Sequence, residues 1–337
     1  MASAVSRIVR TDRELEMQGV DAALRAAGHE LVLLPDGVSE DELARALGGA
    51  ELLLMCYTPV TARVIGSAPL LKGIVKYGVG IDAIDIGAAK ARGIAVVNIP
   101  EYAEETVAEG AFALLIALAK KFKPLQRAMD ARGWVWPRAQ WQGLDLAGKT
   151  LGLIGVGRIG SSMARMARGF RIRVVGFSPN SNFPPGVEKR NHLREMLAEC
   201  DFVSIHCALN AETRGLIGER ELAAMKPSAF LVNTARGAIV DEAALLRALQ
   251  ERRIAGAALD VYSREPLAKA GHPLSALYAM DNVILSPHLT FYTHEAMARL
   301  EAETLERCME VLEGRPVLVK SRDPRLRAQR KGVRFAD

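Results

Sequence analysis

Thr150-Leu151-Gly152-Leu153-Ile154 is a short apolar run, and it passes without a break into Gly155-Val156-Gly157-Arg158-Ile159-Gly160. The run reads as a buried strand, and the residues after it, Ser161 to Gly169, repeat apolar positions at helical spacing. Glycines at the first, third and sixth places of a strand-to-helix turn have separate jobs. Gly155 allows the tight turn, Gly157 lets the main chain approach a pyrophosphate, and Gly160 lets helix and strand pack closely. The helix N-terminus adds N–H donors and the positive end of its dipole. The stretch predicts a dinucleotide site, with Arg158 and Ile159 inside its loop.

Outward from this loop, strands near 150–154, 173–177, 201–205, 229–233, 256–261 and 282–286 alternate with helical patterns. Six such strands complete a doubly wound nucleotide domain. Upstream, Val5 to Val9, Glu30 to Leu34, Glu51 to Met55, Gly73 to Lys76 and Ile94 to Asn98 form a second strand–helix series. Between the two lies a helical pattern from Thr106 to Met129, apolar almost all round from Ala111 to Leu118, which reads as one buried connector. A last helical pattern, Thr293 to Leu312, is too short for a third domain and is expected to pack back on the first. The expected fold is α/β, with two doubly wound parallel-sheet domains. A Rossmann nucleotide domain, 105–290, is inserted into a discontinuous flavodoxin-like substrate domain, 1–104 and 291–337.

Composition narrows the function. The chain has 337 residues, half of them apolar and a quarter charged, enough to bury two cores and unlike a disordered or fibrous protein. Arg7, Arg10, Asp12, Arg13 and Glu14 interrupt the N-terminal segment, and Ala111 to Ala119 falls far short of the ~18 apolar residues of a membrane span. No signal peptide and no membrane partner are expected. Cys56, Cys200, Cys207 and Cys308 are scattered, with no CxxC pair and no histidine cluster, so no metal site is expected and a reducing cytoplasm is the natural compartment.

The net charge of +5 is local, because Lys320, Arg322, Arg325, Arg327, Arg330, Lys331 and Arg334 face only Asp323 and Asp337 in the tail. The remaining body is balanced, which argues against nucleic acid, and the tail reads as a frayed, solvated terminus. Trp134, Trp136 and Trp141, within 133–148, suit either an oligomer contact or a satellite core.

An acidic residue about 20 positions past the glycines would hold the adenosine ribose and repel a 2′-phosphate. Here the strand Arg173 to Phe177 ends at Ser178, followed by Asn180, Ser181 and Asn182. NADP(H) is therefore expected over NAD(H), with Ser178 and Asn180 as neutral donors, although no arginine follows at once: Arg171 and Arg173 precede Ser178, and Lys189 and Arg190 lie farther along a Pro-rich loop.

Late strands end in Asn233-Thr-Ala-Arg236-Gly237, Asp260-Val-Tyr-Ser-Arg-Glu265-Pro266 and Ser286-Pro287-His288. Strand C-termini of an open α/β sheet face the ligand crevice. Arg236 can grip a carboxylate through two N–H groups and His288 can donate the proton that accompanies hydride delivery to a 2-oxo acid. Glu265 bonded to His288 would favour the imidazolium and fix the ring.

These segments, together with Lys76-Tyr-Gly-Val-Gly80-Ile-Asp82-Ala-Ile-Asp85, Thr106-Val-Ala-Glu109 and Gly148-Lys-Thr150, make the chain from about 50 to 318 resemble the D-isomer-specific 2-hydroxyacid dehydrogenases. The resemblance implies Arg236, Glu265 and His288 as the catalytic set, and Arg236 and His288 as substrate contacts. It also implies backbone N–H groups of Val79 and Gly80 on the substrate carboxylate, and Asp260 on the nicotinamide amide. His206, Cys207 and Ala208, before Thr213, would wall the adenosine, and Thr234 would join the cofactor contacts. A homodimer is implied as well. The implied function is a glyoxylate- or hydroxypyruvate-like reductase.

Two departures bear on substrate. Thr290, Phe291 and Tyr292 place bulk just after the catalytic histidine, which suits either a pocket narrowed to small oxo acids or stacking on an aromatic substrate, and Met55-Cys56-Tyr57 replaces the Arg-Ser of phosphoglycerate-acting members; a third, Ala208 for a common proline, falls in the adenosine wall. The missing arginine disfavours 3-phosphoglycerate. The rival reading is a dinucleotide-sensing binding protein, because Glu104-Glu-Thr-Val-Ala108 resembles the corepressor-like C-terminal binding protein branch.

Overall fold

The computed structural model describes residues 5–178 and 182–336. The chain divides into two compact units, Met1–Tyr102 with Thr293–Asp337, and Ala103–Tyr292. Each is built on its own parallel sheet.

In the first unit the strands are β1 (Arg7–Arg10), β2 (Glu30–Leu33), β3 (Leu52–Met55), β4 (Gly73–Lys76) and β5 (Ala95–Asn98), in the order β2-β1-β3-β4-β5. Strands β3, β4 and β5 are buried throughout, which is why they read as continuous apolar runs rather than alternating ones. The helix His294–Leu312 belongs to this unit, and the Val311 side chain occupies the place where a Cβ at Gly73 would sit.

The second unit has seven strands: β6 (Thr150–Ile154), β7 (Arg173–Phe177), β8 (Val187–Lys189), β9 (Phe202–Ile205), β10 (Phe230–Asn233), β11 (Gly256–Leu259) and β12 (Val283–Leu285). Their order, β12-β11-β10-β9-β6-β7-β8, reverses direction between β6 and β9, the switch point where such sheets bind ligands. Successive residues feed opposite faces. Leu151, Leu153, Phe230 and Val232 enter one core, while Ile154 and Leu231 enter the other.

Three expectations need correction. Strand β8 is a seventh strand, absent from the sequence reading because three residues are too few to show a period. The predicted connector is two helices, Glu104–Ala119 and Phe122–Arg132, broken where Lys121 takes a left-handed φ of 54°. Pro124 was the available signal, since proline fits a first turn, where N–H groups lack intrahelical partners.

The tail is not frayed over its described residues. Val317–Val319 pairs with Val333–Phe335, and Gln329 bonds both backbone groups of Val96 on edge strand β5, at 2.7 and 2.8 Å. Lys320, Arg325 and Arg334 pair with Glu303, Asp323 and Glu310, so much of the tail's charge is spent internally.

Candidate active site

The glycine loop sits at the C-terminal end of β6. Gly155 has φ 93°, and a Cβ there would lie 2.5 Å from the Cys207 nitrogen. A Cβ at Gly160 would overlap the Gly155 carbonyl oxygen. At Gly157, by contrast, a Cβ would meet nothing within 4 Å, so the main chain faces open space at the head of helix Arg158–Gly169. That is the cradle a pyrophosphate requires. Thr234, after β10, carries a buried hydroxyl with no hydrogen-bond partner, a second group suited to a polar ligand. The residues present therefore fit a dinucleotide.

Around this loop, Arg158 pairs with Glu104 at 3.1 Å and Ile159 is half-buried in the first helical turn. His206, Cys207 and Ala208 follow β9 directly. Burial pushes the His206 imidazole down to about 4, so the ring is neutral, and its Nε2 lies 2.9 Å from the Ser204 hydroxyl. Burial also holds the Cys207 thiol up at about 11. Thr213 closes the following turn, donating to the Ala208 carbonyl at 2.7 Å and accepting from the Asn210 N–H at 2.8 Å.

Ser178 is half-buried immediately after β7, and Asn180 lies outside the described residues. Arg173 and Arg190 are spent in a network with Glu188 and Glu199 at 2.6 to 3.0 Å, while Lys189 lies over the Phe183 ring, 5.7 Å from its centroid. The two arginines hold the Glu188 carboxyl down at about 2.

Three strand ends assemble the chemistry. His288 Nδ1 donates to Glu265 Oε2 at 2.9 Å, and Glu265 Oε1 accepts the Tyr262 N–H at 2.9 Å, so the carboxylate is held at both oxygens. Tyr262 ties the ends of β11 and β12 together by donating to the Leu259 and Ser286 carbonyls, each at 3.0 Å. His288 has φ 60°, costly for a residue with a Cβ by roughly 1–2 kcal/mol. The backbone after it is pinned by Asp260, which accepts the N–H groups of Leu289 and Thr290 at 2.9 and 3.1 Å and the Thr290 hydroxyl at 2.6 Å. Asp260, fully buried, thus anchors the histidine loop, a function that its expected contact with a nicotinamide amide did not include.

Arg236 is presented by a loop that Asn233 clamps from both sides. Its side-chain oxygen accepts the Ala235 N–H at 3.0 Å, and its side-chain nitrogen donates to the Arg236 carbonyl at 2.9 Å. Gly237 lies flat against the segment that carries Glu265, where a Cβ would overlap the Tyr262 carbonyl carbon and the Ser263 nitrogen. That close approach couples the Arg236 loop to the Glu265 loop. Phe291 is buried with its ring edge-on to His288, centroids 6.4 Å apart, so it packs against the imidazole, while Tyr292 is exposed.

Sequence reasoning missed Asn233, Gly237, Tyr262 and Phe291 as positioning residues. All four stand inside the motifs or beside the residues they position, and adjacency was the only signal. Val79 and Gly80 lie in the first unit, after β4, with Val79 exposed. Among the described residues no group of three or more His, Cys, Asp or Glu could hold a metal ion, and no helix is long and apolar enough to cross a membrane.

A strand–Gly-loop–helix unit at a topological switch point, with a His–Glu pair and an arginine at neighbouring strand ends, defines a nicotinamide-dependent dehydrogenase class. The sequence model described as D-isomer specific 2-hydroxyacid dehydrogenase, NAD binding domain, matches residues 112–290. A glyoxylate reductase of Korarchaeum cryptofilum is 41% identical over 263 residues, covering 75% of this chain and 78% of its own. A D-3-phosphoglycerate dehydrogenase of Methanocaldococcus jannaschii is 38% identical over 286 residues, 82% of this chain and 53% of that one. The crystal structure of the TT0316 protein from Thermus thermophilus superposes with a TM-score of 0.84 at 36% identity, covering 92% of this chain and 97% of that one. The chain belongs to the D-isomer-specific 2-hydroxyacid dehydrogenase family. It is an oxidoreductase of the 2-oxo acid reductase type, with an NAD(P)-binding domain.

Proposed function

We propose that the protein reduces small 2-oxo acids of the glyoxylate or hydroxypyruvate kind to the 2-hydroxy acids, the D-isomer where the product is chiral. The observation that carries this reading is the 2.9 Å His288–Glu265 bond at a strand end of the unit that holds the glycine loop. Gly155, Gly157, Gly160, Ser178, His206 and Thr234 would hold the dinucleotide, which supplies the hydride when bound. Arg236 grips the substrate carboxylate and polarises the adjacent carbonyl. His288 is fixed through Nδ1 by Glu265, so Nε2 is the nitrogen that delivers the proton to the carbonyl oxygen. Val79 and Gly80 offer backbone N–H groups to a carboxylate. A glyoxylate reductase as a 41% identical relative supports the substrate class, and the intact His–Glu–Arg set favours turnover over the sensor reading. Oxidation of reduced cofactor by glyoxylate or hydroxypyruvate is the direct test.

NADP(H) is the cofactor we assign. With Arg173 and Arg190 occupied by Glu188 and Glu199, the preference rests on the neutral Ser178 and on Lys189. Ser178→Asp is expected to move the kcat/KM ratio toward NADH by about tenfold or more, through repulsion of the 2′-phosphate. An unchanged ratio would show that residue 178 does not face the ribose.

The edge-on ring pair Trp134–Trp136, each ring 72% exposed, is the face we assign to a second copy of the chain, and sedimentation at low concentration checks it. Four free thiols support a reducing cytoplasmic compartment, which fractionation of the source cells checks.

A further inference from the structure

Lys76, the last residue of β4, is 5% exposed, and the contacts its ammonium makes among the described residues are to neutral groups. Nζ donates to Cys56 Sγ at 3.0 Å and lies 5.5 Å from the centroid of the Tyr57 ring. The Cys56 thiol is itself a donor, to the Tyr77 carbonyl at 3.3 Å, and burial keeps it protonated. Asp12, which holds the Cys56–Thr58 segment, makes no ion pair with Lys76 among the described residues. Its oxygens accept the N–H groups of Cys56, Tyr57 and Thr58 at 2.7 to 3.1 Å and the hydroxyls of Thr11 and Thr58 at 2.6 and 2.8 Å. A buried ammonium with one weak acceptor is unfavourable unless an anion reaches it.

The turn beyond β4 supplies the place. Gly78 has φ 148°, and a Cβ there would stand 2.6 Å from Nζ, so the ammonium fills the side-chain position of the turn. Asn98 donates to the Val79 carbonyl at 2.6 Å, and because a trans peptide sets C=O and N–H opposite each other, the Gly80 N–H points away from β5. Neither the Val79 N–H nor the Gly80 N–H has an acceptor among the described residues. Two N–H groups without acceptors among the described residues, in a turn whose Gly78 lies against the Lys76 ammonium, are the elements of an anion nest.

We propose that Lys76 supplies the charge that makes the Gly78–Gly80 turn select carboxylates, holding a substrate carboxylate by electrostatic attraction behind the Val79 and Gly80 N–H groups. This rests on the 2-oxo acid reading above. Lys76 thereby places a positive charge beside Met55-Cys56-Tyr57, where no arginine stands, from the neighbouring strand.

The test compares wild type, Lys76→Met and Lys76→Arg, using glyoxylate against its neutral methyl ester. Lys76→Met should raise KM for glyoxylate about tenfold, with kcat and the ester's KM within twofold, and Lys76→Arg should recover most of the loss. Equal losses for acid and ester, or no loss for either, would overturn the assignment. Calorimetric binding of oxalate to the same three full-length proteins gives a readout without turnover. Oxalate affinity that is absent in wild type, or unchanged in Lys76→Met, also overturns it. Lys76-dependent oxalate binding with no turnover of any 2-oxo acid would instead sink the function proposed above and leave the anion site standing.

Discussion

His288→Asn is expected to lower kcat by about 10²–10⁴-fold, the usual contribution of a positioned acid–base group, while dinucleotide affinity stays within about twofold. Asparagine is the informative replacement because it tolerates the left-handed backbone that His288 adopts at φ 60°, so the Asp260 anchors on Leu289 and Thr290 are kept and only the imidazole is lost. Single-turnover kinetics with dinucleotide titration separates the two effects. Arg236→Gln should lose kcat/KM to a comparable degree, chiefly through the substrate, since its charge-assisted grip is removed. Near-normal turnover in both variants would mean that these strand ends are not where the reaction occurs.

The second large effect is expected at a residue that touches no ligand. In Gly237→Ala the new Cβ overlaps backbone atoms of Tyr262 and Ser263, which cannot swing aside as the end of a flexible side chain can. The Arg236 loop must lift off the Glu265 segment. Overpacking of this kind costs ~1–3 kcal/mol, or a melting temperature lower by about 2–12 °C for a unit of this size. Displacing Arg236 by an ångström adds about a 100-fold loss of kcat/KM. Gly157→Ala is the contrast, because its Cβ meets open space. It should leave melting nearly unchanged while weakening dinucleotide binding. Scanning calorimetry and cofactor titration of the pair would distinguish the two glycines, and equal melting temperatures would contradict the packing argument.

Much of this site was legible in the sequence because its signals are local. The strand-to-helix glycines point to a phosphate loop through their place in a strand–helix series, and Arg236, Glu265 and His288 follow strands in short segments whose combination resembles one family. What was hidden is of another kind. The break at Lys121 depends on a backbone angle that its residue type does not advertise and that Pro124 alone signals, and β8 is too short to show a period. Counting charges made the tail look solvated, yet Gln329 acts as a substitute ladder partner for Val96, a role no composition reveals. Lys76 stood inside a quoted motif without a role, because only the register with β3 brings its ammonium to Cys56.

The measurement that tests the central claim most directly is the initial rate of NADPH and NADH oxidation, at matched concentrations, with glyoxylate, hydroxypyruvate, pyruvate, phenylpyruvate and oxaloacetate. The expected result is turnover of the small 2-oxo acids, glyoxylate or hydroxypyruvate above all, with NADPH the faster donor and the D-isomer formed from hydroxypyruvate. Tight dinucleotide binding with no oxidation by any of the five would contradict the account and return the protein to a sensing role.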